Sequence, residues 1–341
     1  KDTSAMNRNW MAIVAPVAAL FLVTTALLSP GPALAAGTNA PWGANYFPNV
    51  VLTTQDGRMV HFWDDLLKDK KVVINFFYTE CGHNCPLETA KLAQVHRLLG
   101  DRMGRDIFFY SISIDPTRDT PKVLKKYAQR FEAGPGWLFL TGRKADIELV
   151  RAKLGQAAAP GQNELTEHSA TITIGDAATG QWMRDAATAD PRFIAIMVRD
   201  WLSSWKDHNP GKSDRQSPPV EEGVIADRGE HLFRTRCAAC HTIGHGDGLG
   251  PDLIGVAEVR DKSWLARYIA APDEVLASGD RFAMSLFERY KKVRMPNLRL
   301  GEADVDALIR FLEARSASSH TSEKTEPQPP GTAGTAQAPP R

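Results

Sequence analysis

The chain has 341 residues, with 41 basic and 40 acidic side chains and a formal net charge of +1. That length accommodates about two domains, and the apolar content is high enough for each to form a core without staples. The near balance of charge gives no support for nucleic-acid binding, which wants a strongly basic face.

Residues 1–36 read as a targeting segment. Arg8 precedes an uncharged apolar run from Trp10 to Leu28, which ends near Ser29-Pro30-Gly31-Pro32 and Ala33-Leu34-Ala35. A charged start, an apolar stretch and a small-x-small site describe a secretory signal peptide. The alternative is an uncleaved membrane anchor, because the run approaches the ~20 residues that span a bilayer. Pro16 and the Ala-x-Ala site favour cleavage. On either reading the folded part is expected outside the cytoplasm. It is periplasmic, or anchored to the cytoplasmic membrane and facing the periplasm, where thiol redox chemistry is active.

Residues 37–205 alternate strand and helix patterns. Val72 to Tyr78 is a nearly unbroken apolar run, as expected of a strand buried on both faces. Leu92, Val95 and Leu99 then mark one face of a helix. Ile107 to Ile114 is the next strand, and Thr120-Pro121 opens a helix striped by Leu124, Tyr127 and Phe131. Trp137 to Leu140 is a strand, followed by a helix with Ile147, Val150 and Leu154. Ala170–Ile174 and Gln181–Arg184 pair as a hairpin over a Gly-containing turn. Phe193, Ile194, Met197, Val198 and Trp201 close the domain with a helix. The alternation predicts α/β architecture around one central sheet.

Residues 206–222 are rich in Pro, Ser and charge and read as a linker. Residues 223–315 show helical patterns only, ending in an amphipathic stripe of Val305, Leu308, Ile309 and Leu312. Residues 316–341 are mostly Ser, Thr, Pro, Gly, Gln and Ala, a composition expected to be a disordered tail.

All four cysteines fall in two short motifs, Cys81-Gly-His-Asn-Cys85 and Cys237-Ala-Ala-Cys240-His241. The second is the attachment signature of a c-type haem. Cys237 and Cys240 would form the thioethers and His241 would be the proximal iron ligand. Half of a zinc site is the competing use, but it would need Cys81 and Cys85 across a domain boundary. The first motif places two thiols one helical turn apart, where a strand passes into a helix. That spacing suits a soft metal or thiol redox exchange, and a helix N-terminus favours the thiolate. A permanent local disulfide is the plainer alternative.

Around the haem motif, residues 223–315 resemble the class I cytochrome c family. Gly229 and Phe233 match the first-helix pair that packs on the last helix. Gly250-Pro251-Asp252-Leu253 matches the loop whose proline carbonyl orients the proximal histidine. Val293-Arg294-Met295-Pro296-Asn297-Leu298 matches the segment that supplies the distal methionine. The resemblance implies one covalent haem c with Met295 as sixth ligand, a pairing that raises the potential and suits electron transfer. Met284 is the rival methionine and His245 a weaker rival.

Residues 45–203 resemble the Sco/SenC family of thioredoxin-fold proteins. The match rests on Val72–Tyr78, on Cys81-x-x-x-Cys85-Pro86, on Ser113-Ile114-Asp115-Pro116-Thr117-Arg118-Asp119-Thr120-Pro121, and on Glu167-His168-Ser169 before a strand. The resemblance implies one copper ion on Cys81, Cys85 and His168. Thiolate sulfur suits Cu(I), and imidazole keeps Cu(II) acceptable. The loop departs from the family pattern in Gly82, His83 and Asn84. His83 is open to use as a fourth ligand, as a proton carrier, or as an exposed residue. Asp115 and Asp119 are expected to shape the following loop and helix rather than to bind metal.

The expected architecture is therefore an α/β thioredoxin-like domain followed by a small all-α cytochrome c domain. Dithiol couples lie at roughly −120 to −270 mV, below a His/Met haem, so electrons would fall from Cys81 and Cys85 to the haem. Disulfide reduction in the reverse sense is uphill and needs two electrons where haem carries one. One-electron exchange with copper matches better. The first functional expectation is an exported copper protein of the cytochrome oxidase assembly type. Its partner would be the oxidase copper-containing subunit or another respiratory redox protein. The second is a thiol-disulfide oxidoreductase passing electrons to the haem, with Cys81 and Cys85 catalytic. The third is an electron carrier whose Sco-like domain only docks a partner. Arg289, Lys291, Lys292 and Arg294 could steer an acidic partner to the haem edge, or form an ordinary solvated helix end.

Overall fold

A computed structural model of the chain describes residues 42–159, 161, 165, 170–202 and 227–323. The proposed signal segment, the linker 206–222 and His168 lie outside the described residues. No described helix is long and apolar enough to cross a membrane.

The first domain is built on β1 (Val51–Thr54), β2 (Met59–His61), β3 (Lys71–Phe77), β4 (Ile107–Ser113), β5 (Trp137–Gly142), β6 (Thr171–Asp176) and β7 (Gln181–Ala186). They form one mixed sheet in the order β2-β1-β5-β4-β3-β6-β7. The central strands β3, β4 and β5 are parallel, and the flanking pairs are antiparallel. Four helices cover the sheet: α1 (Cys85–Leu99), α2 (Pro121–Arg130), α3 (Lys144–Lys153) and α4 (Pro191–Ile196, continued through Met197–Trp201). The pleat divides each central strand between two cores. Val73 and Phe77 pack with α1, α2 and α4 residues on one face. Val72, Ile74 and Phe76 pack with Ile147 and Val150 of α3 on the other.

Two details differ from the sequence expectations. The β1–β2 hairpin and the helical turn Phe62–Leu67 have no counterpart among them; their apolar residues are too few and too interrupted to show a period. In the closing helix, Ile194 and Val198 carry the packing, whereas Phe193 is half exposed.

The second domain is helical: α5 (Arg228–Leu232, continued through Phe233–Cys237), α6 (Val256–Val259), α7 (Lys262–Ala270), α8 (Pro272–Ala277), α9 (Arg281–Arg289) and α10 (Glu302–Glu323). Phe233, Leu265 and Ile269 pack against the Val305, Leu308, Ile309 and Leu312 stripe. Gly229 lets α5 cross α10 closely, since a Cβ there would lie 2.2 Å from the Ala307 carbonyl oxygen. Residue 316 does not begin a structureless tail. Helix α10 continues to Glu323, and Ser316 is buried. Its Oγ accepts from the Gly255 amide at 2.9 Å and donates to the Leu312 carbonyl at 2.9 Å. A serine that turns its hydroxyl back onto its own helix is tolerated there, which composition alone does not reveal.

Candidate functional site

The thiol pair sits where ligands gather in parallel α/β sheets, beyond the carboxyl ends of the central strands. β3 and β4 run in register to Phe77 opposite Ser113, so the loops after them meet. Asp119 ties the two loops together. Its carboxylate accepts from the Thr79 amide at 3.1 Å and from the hydroxyls of Thr79 and Ser113. The expected shaping role of Asp119 is thus visible, and it acts two residues before Cys81. Cys85 is the first residue of α1, with Pro86 next in its first turn.

Cys81 and Cys85 are both buried, and neither is in a disulfide. Burial pushes the Cys85 thiol well up, and the neighbouring Cys81 and Glu88 push the same way. Desolvation therefore outweighs the helix N-terminus that the sequence suggested would favour thiolate. Tyr78, just before the loop, has its phenol raised by burial and by Cys81 and Cys85. No group of three metal-ligating side chains forms among the described residues, and His168 is not among those residues. His83 does not join the two sulfurs in such a group. Its ring is partly buried, and Nδ1 is buried with no hydrogen-bond partner. Two soft sulfurs in an apolar surrounding fit Cu(I).

The haem motif lines a cavity of about 390 Å³. Cys237, Cys240, His241 and Met295 all face it, among apolar side chains such as Leu265, Ile269 and Leu298. His241 Nδ1 donates to the Pro251 carbonyl at 2.9 Å. A carbonyl can only accept, so this contact fixes the tautomer and leaves Nε2 with a free lone pair for iron. Burial lowers the His241 pKa and so favours the neutral, ligating form, while the Pro251 contact opposes this. Burial also pushes the Cys237 and Cys240 thiols up to about 12. Gly250 makes room for the ring, since a Cβ there would lie 2.6 Å from His241 Cε1. An apolar slot with two thiols, an oriented imidazole and a thioether fits a haem c. Met284 is on the exposed side of α9 and does not line the cavity, and His245 is exposed. Of the rival ligands, the structure brings Met295 to the site.

The two centres adjoin. The Asn297 amide, two residues past Met295, donates to the carbonyl of Gly82 between the two cysteines, at 2.9 Å. Leu87, two residues past Cys85, lines the haem cavity. Val293, Leu249 and Cys240 pack against the core that contains Cys81 and Cys85. Nothing in the sequence signalled this contact. The basic segment before Met295 is also accounted for within the chain. Arg289 pairs with Asp247 at 3.2 Å and Lys292 with Glu288 at 3.1 Å, whereas Lys291 reaches Glu132 at 3.0 Å and Arg294 reaches Glu80 at 2.8 Å. The last two bridge the domains.

Comparison with known proteins agrees with both halves. The SCO1/SenC family matches residues 43–202, and the cytochrome c family matches residues 226–316. A SCO2-like protein of Rickettsia felis is 36% identical over 102 residues, 30% of this chain and 47% of that protein. The SCO2-like protein RT0576 of Rickettsia typhi is 31% identical over 159 residues, 43% of this chain and 73% of that protein. The chain spans about half the length of the first relatives it matches, 47% in each of three. Among solved structures, the cytochrome c domain of the pp3183 protein from Pseudomonas putida is 48% identical, with a TM-score of 0.27; the match covers 30% of this chain and 99% of that one. Copper-bound ScoI of Bradyrhizobium japonicum is 28% identical, with a TM-score of 0.37, covering 45% of this chain and 96% of that one.

Proposed function

Because the chain belongs to the SCO1/SenC family and carries a cytochrome c domain, we propose that it is an exported copper-binding protein of the cytochrome oxidase assembly type. Cys81 and Cys85 hold one copper ion, with His168 as the third ligand. Cys237 and Cys240 hold one covalent haem c, with His241 and Met295 as axial ligands. Such a haem supplies one-electron exchange at a raised potential. The partner is a copper-containing oxidase subunit or another respiratory redox protein in the periplasm.

The observation that carries this reading is the Gly82–Asn297 hydrogen bond. It joins the loop between the two sulfurs to the segment that carries Met295. A single electron exchanged there relates the copper oxidation state to that of the haem. A disulfide would need two electrons and would have to be reduced uphill from the haem, so the metal reading suits this contact better than the thiol-disulfide one.

Copper titration of the reduced, haem-loaded protein tests it. Stoichiometric Cu(I) uptake, a thiolate-to-copper absorption band with Cu(II), and a haem potential that shifts between copper-loaded and copper-free protein are expected. Absence of both uptake and band would sink the copper reading. Full partner activity in a Cys81→Ser/Cys85→Ser protein would favour the docking-domain alternative.

A further inference from the structure

The face that carries the cysteine loop is covered by the other domain. Asn297 holds the Gly82 carbonyl, and Val293 packs against the core around Cys81 and Cys85. Glu80 and Glu132 form an acidic rim, and Arg294 and Lys291 fill it with ion pairs of 2.8 and 3.0 Å. Lys291 and Lys292 hold consecutive left-handed φ values of 55° and 60°. That conformation is unfavourable for residues with a Cβ, and it occurs where the segment bends toward Glu132. All four bridging side chains are solvent-exposed to at least a third, so each pair is individually weak and salt-sensitive. Leu249 and Cys240 pack against the same core, and the ion pairs are the salt-sensitive part of the cover.

We propose that this acidic-rimmed face is the surface through which the Cys81–Cys85 centre meets other proteins. Residues 291–297 occupy it in competition with them. The partner it fits is a protein segment of matching chemistry, extended and cationic, with an apolar residue between basic ones, as in Lys291-Lys292-Val293-Arg294. Copper then enters or leaves when this segment is displaced. That consequence rests on the copper reading, whereas the occlusion itself does not.

Thiol accessibility measures the occlusion without copper. In the reduced, haem-loaded full chain, Cys81 and Cys85 carry the two thiols not consumed by haem attachment, and they are the targets of iodoacetamide. The rate follows the population of the open form. Lys291→Glu/Arg294→Glu is expected to raise it at least roughly fivefold, and added salt to raise it in the unaltered protein. Loss of a nearby positive charge would itself disfavour thiolate, so faster reaction reports opening. Adding Glu132→Lys to Lys291→Glu should restore the slow rate. In the unaltered protein, hydrogen exchange at the Asn297 amide should quicken with salt and with a cationic peptide carrying the 289–297 sequence. Rates unchanged within about twofold in the variants, or Asn297 exchange indifferent to salt and peptide, would overturn the proposal. A protein that alkylates as expected yet takes up no copper would overturn the copper reading alone.

Discussion

Gly250→Ala tests the account of the proximal histidine most directly. The new Cβ would lie 2.6 Å from His241 Cε1, 2.9 Å from Nδ1 and 3.2 Å from Nε2. The ring must therefore retreat by roughly 0.8 Å to reach ordinary contact. The Nδ1–Pro251 hydrogen bond is 2.9 Å long, and a retreat of that size carries it past bonding distance. Leaving a buried N–H and carbonyl unpaired costs about 1–3 kcal/mol. Losing the group that orients a metal-bound histidine typically weakens metal binding 10–100-fold, which is of the same order. For a domain of this size, each kcal/mol lowers the melting temperature by about 4–8 °C. Guanidinium and thermal unfolding of the haem-loaded protein, followed at the haem absorption band, should show that loss together with an altered axial-ligand spectrum. A variant with unchanged spectrum and a stability change below about 0.5 kcal/mol would show that the Gly250 contact does not fix the imidazole.

Gly229→Ala drives a Cβ onto a backbone carbonyl, the Ala307 oxygen at 2.2 Å. Neither helix can give locally, so a loss of about 1–3 kcal/mol in denaturant unfolding is expected. Asp119→Ala strips the acceptor from the Thr79 amide and two buried hydroxyls; a loss of about 2–4 kcal/mol and faster alkylation of Cys81 should appear together. Met295→Ala should abolish the thioether signature of the haem spectrum, while Met284→Ala should leave it intact, because only Met295 lines the cavity. Arg102 holds the Asp106 carboxyl below its ordinary range. Its contribution is therefore present above the ordinary carboxylate pKa and lost as pH falls through the lowered value. Asp106→Asn should flatten the acid side of the stability–pH curve.

Periodicity was informative where a whole element faces one core. The run Val72–Tyr78 announced a strand buried on both sides, and Val305, Leu308, Ile309 and Leu312 announced the last helix. The β1–β2 hairpin was silent because its strands are four and three residues long, with a solvated edge. Motif spacing located both sulfur pairs, and burial sets the direction in which the Cys85, Cys237 and Cys240 thiols shift. Cys85 opens a helix, as its position implied, yet desolvation pushes its thiol up instead of down. The four basic residues before Met295 read equally as a steering patch or as a solvated helix end, because charge in sequence says nothing about its counter-charge in space. Glu80 and Glu132 lie 214 and 159 residues away along the chain from Arg294 and Lys291.

On the proposed function, electron exchange across the Gly82–Asn297 contact would require the loop to be covered, and copper transfer to another protein would require it to be bare. The two activities would then exclude one another, and the strength of the contact would set the division between them. Val293, Leu249 and Cys240 favour the covered state by packing against the core around the thiols. The exposed ion pairs at its edge leave the balance open to salt and to a competing cationic surface. Arg294 is next to Met295 and grips the residue before Cys81, so its substitution should move the haem potential and thiol accessibility together. Lys291, four residues before Met295, should move accessibility with little effect on the potential. Redox titration and alkylation of Arg294→Gln and Lys291→Gln, measured side by side, distinguish a contact that couples the centres from one that merely shields the thiols.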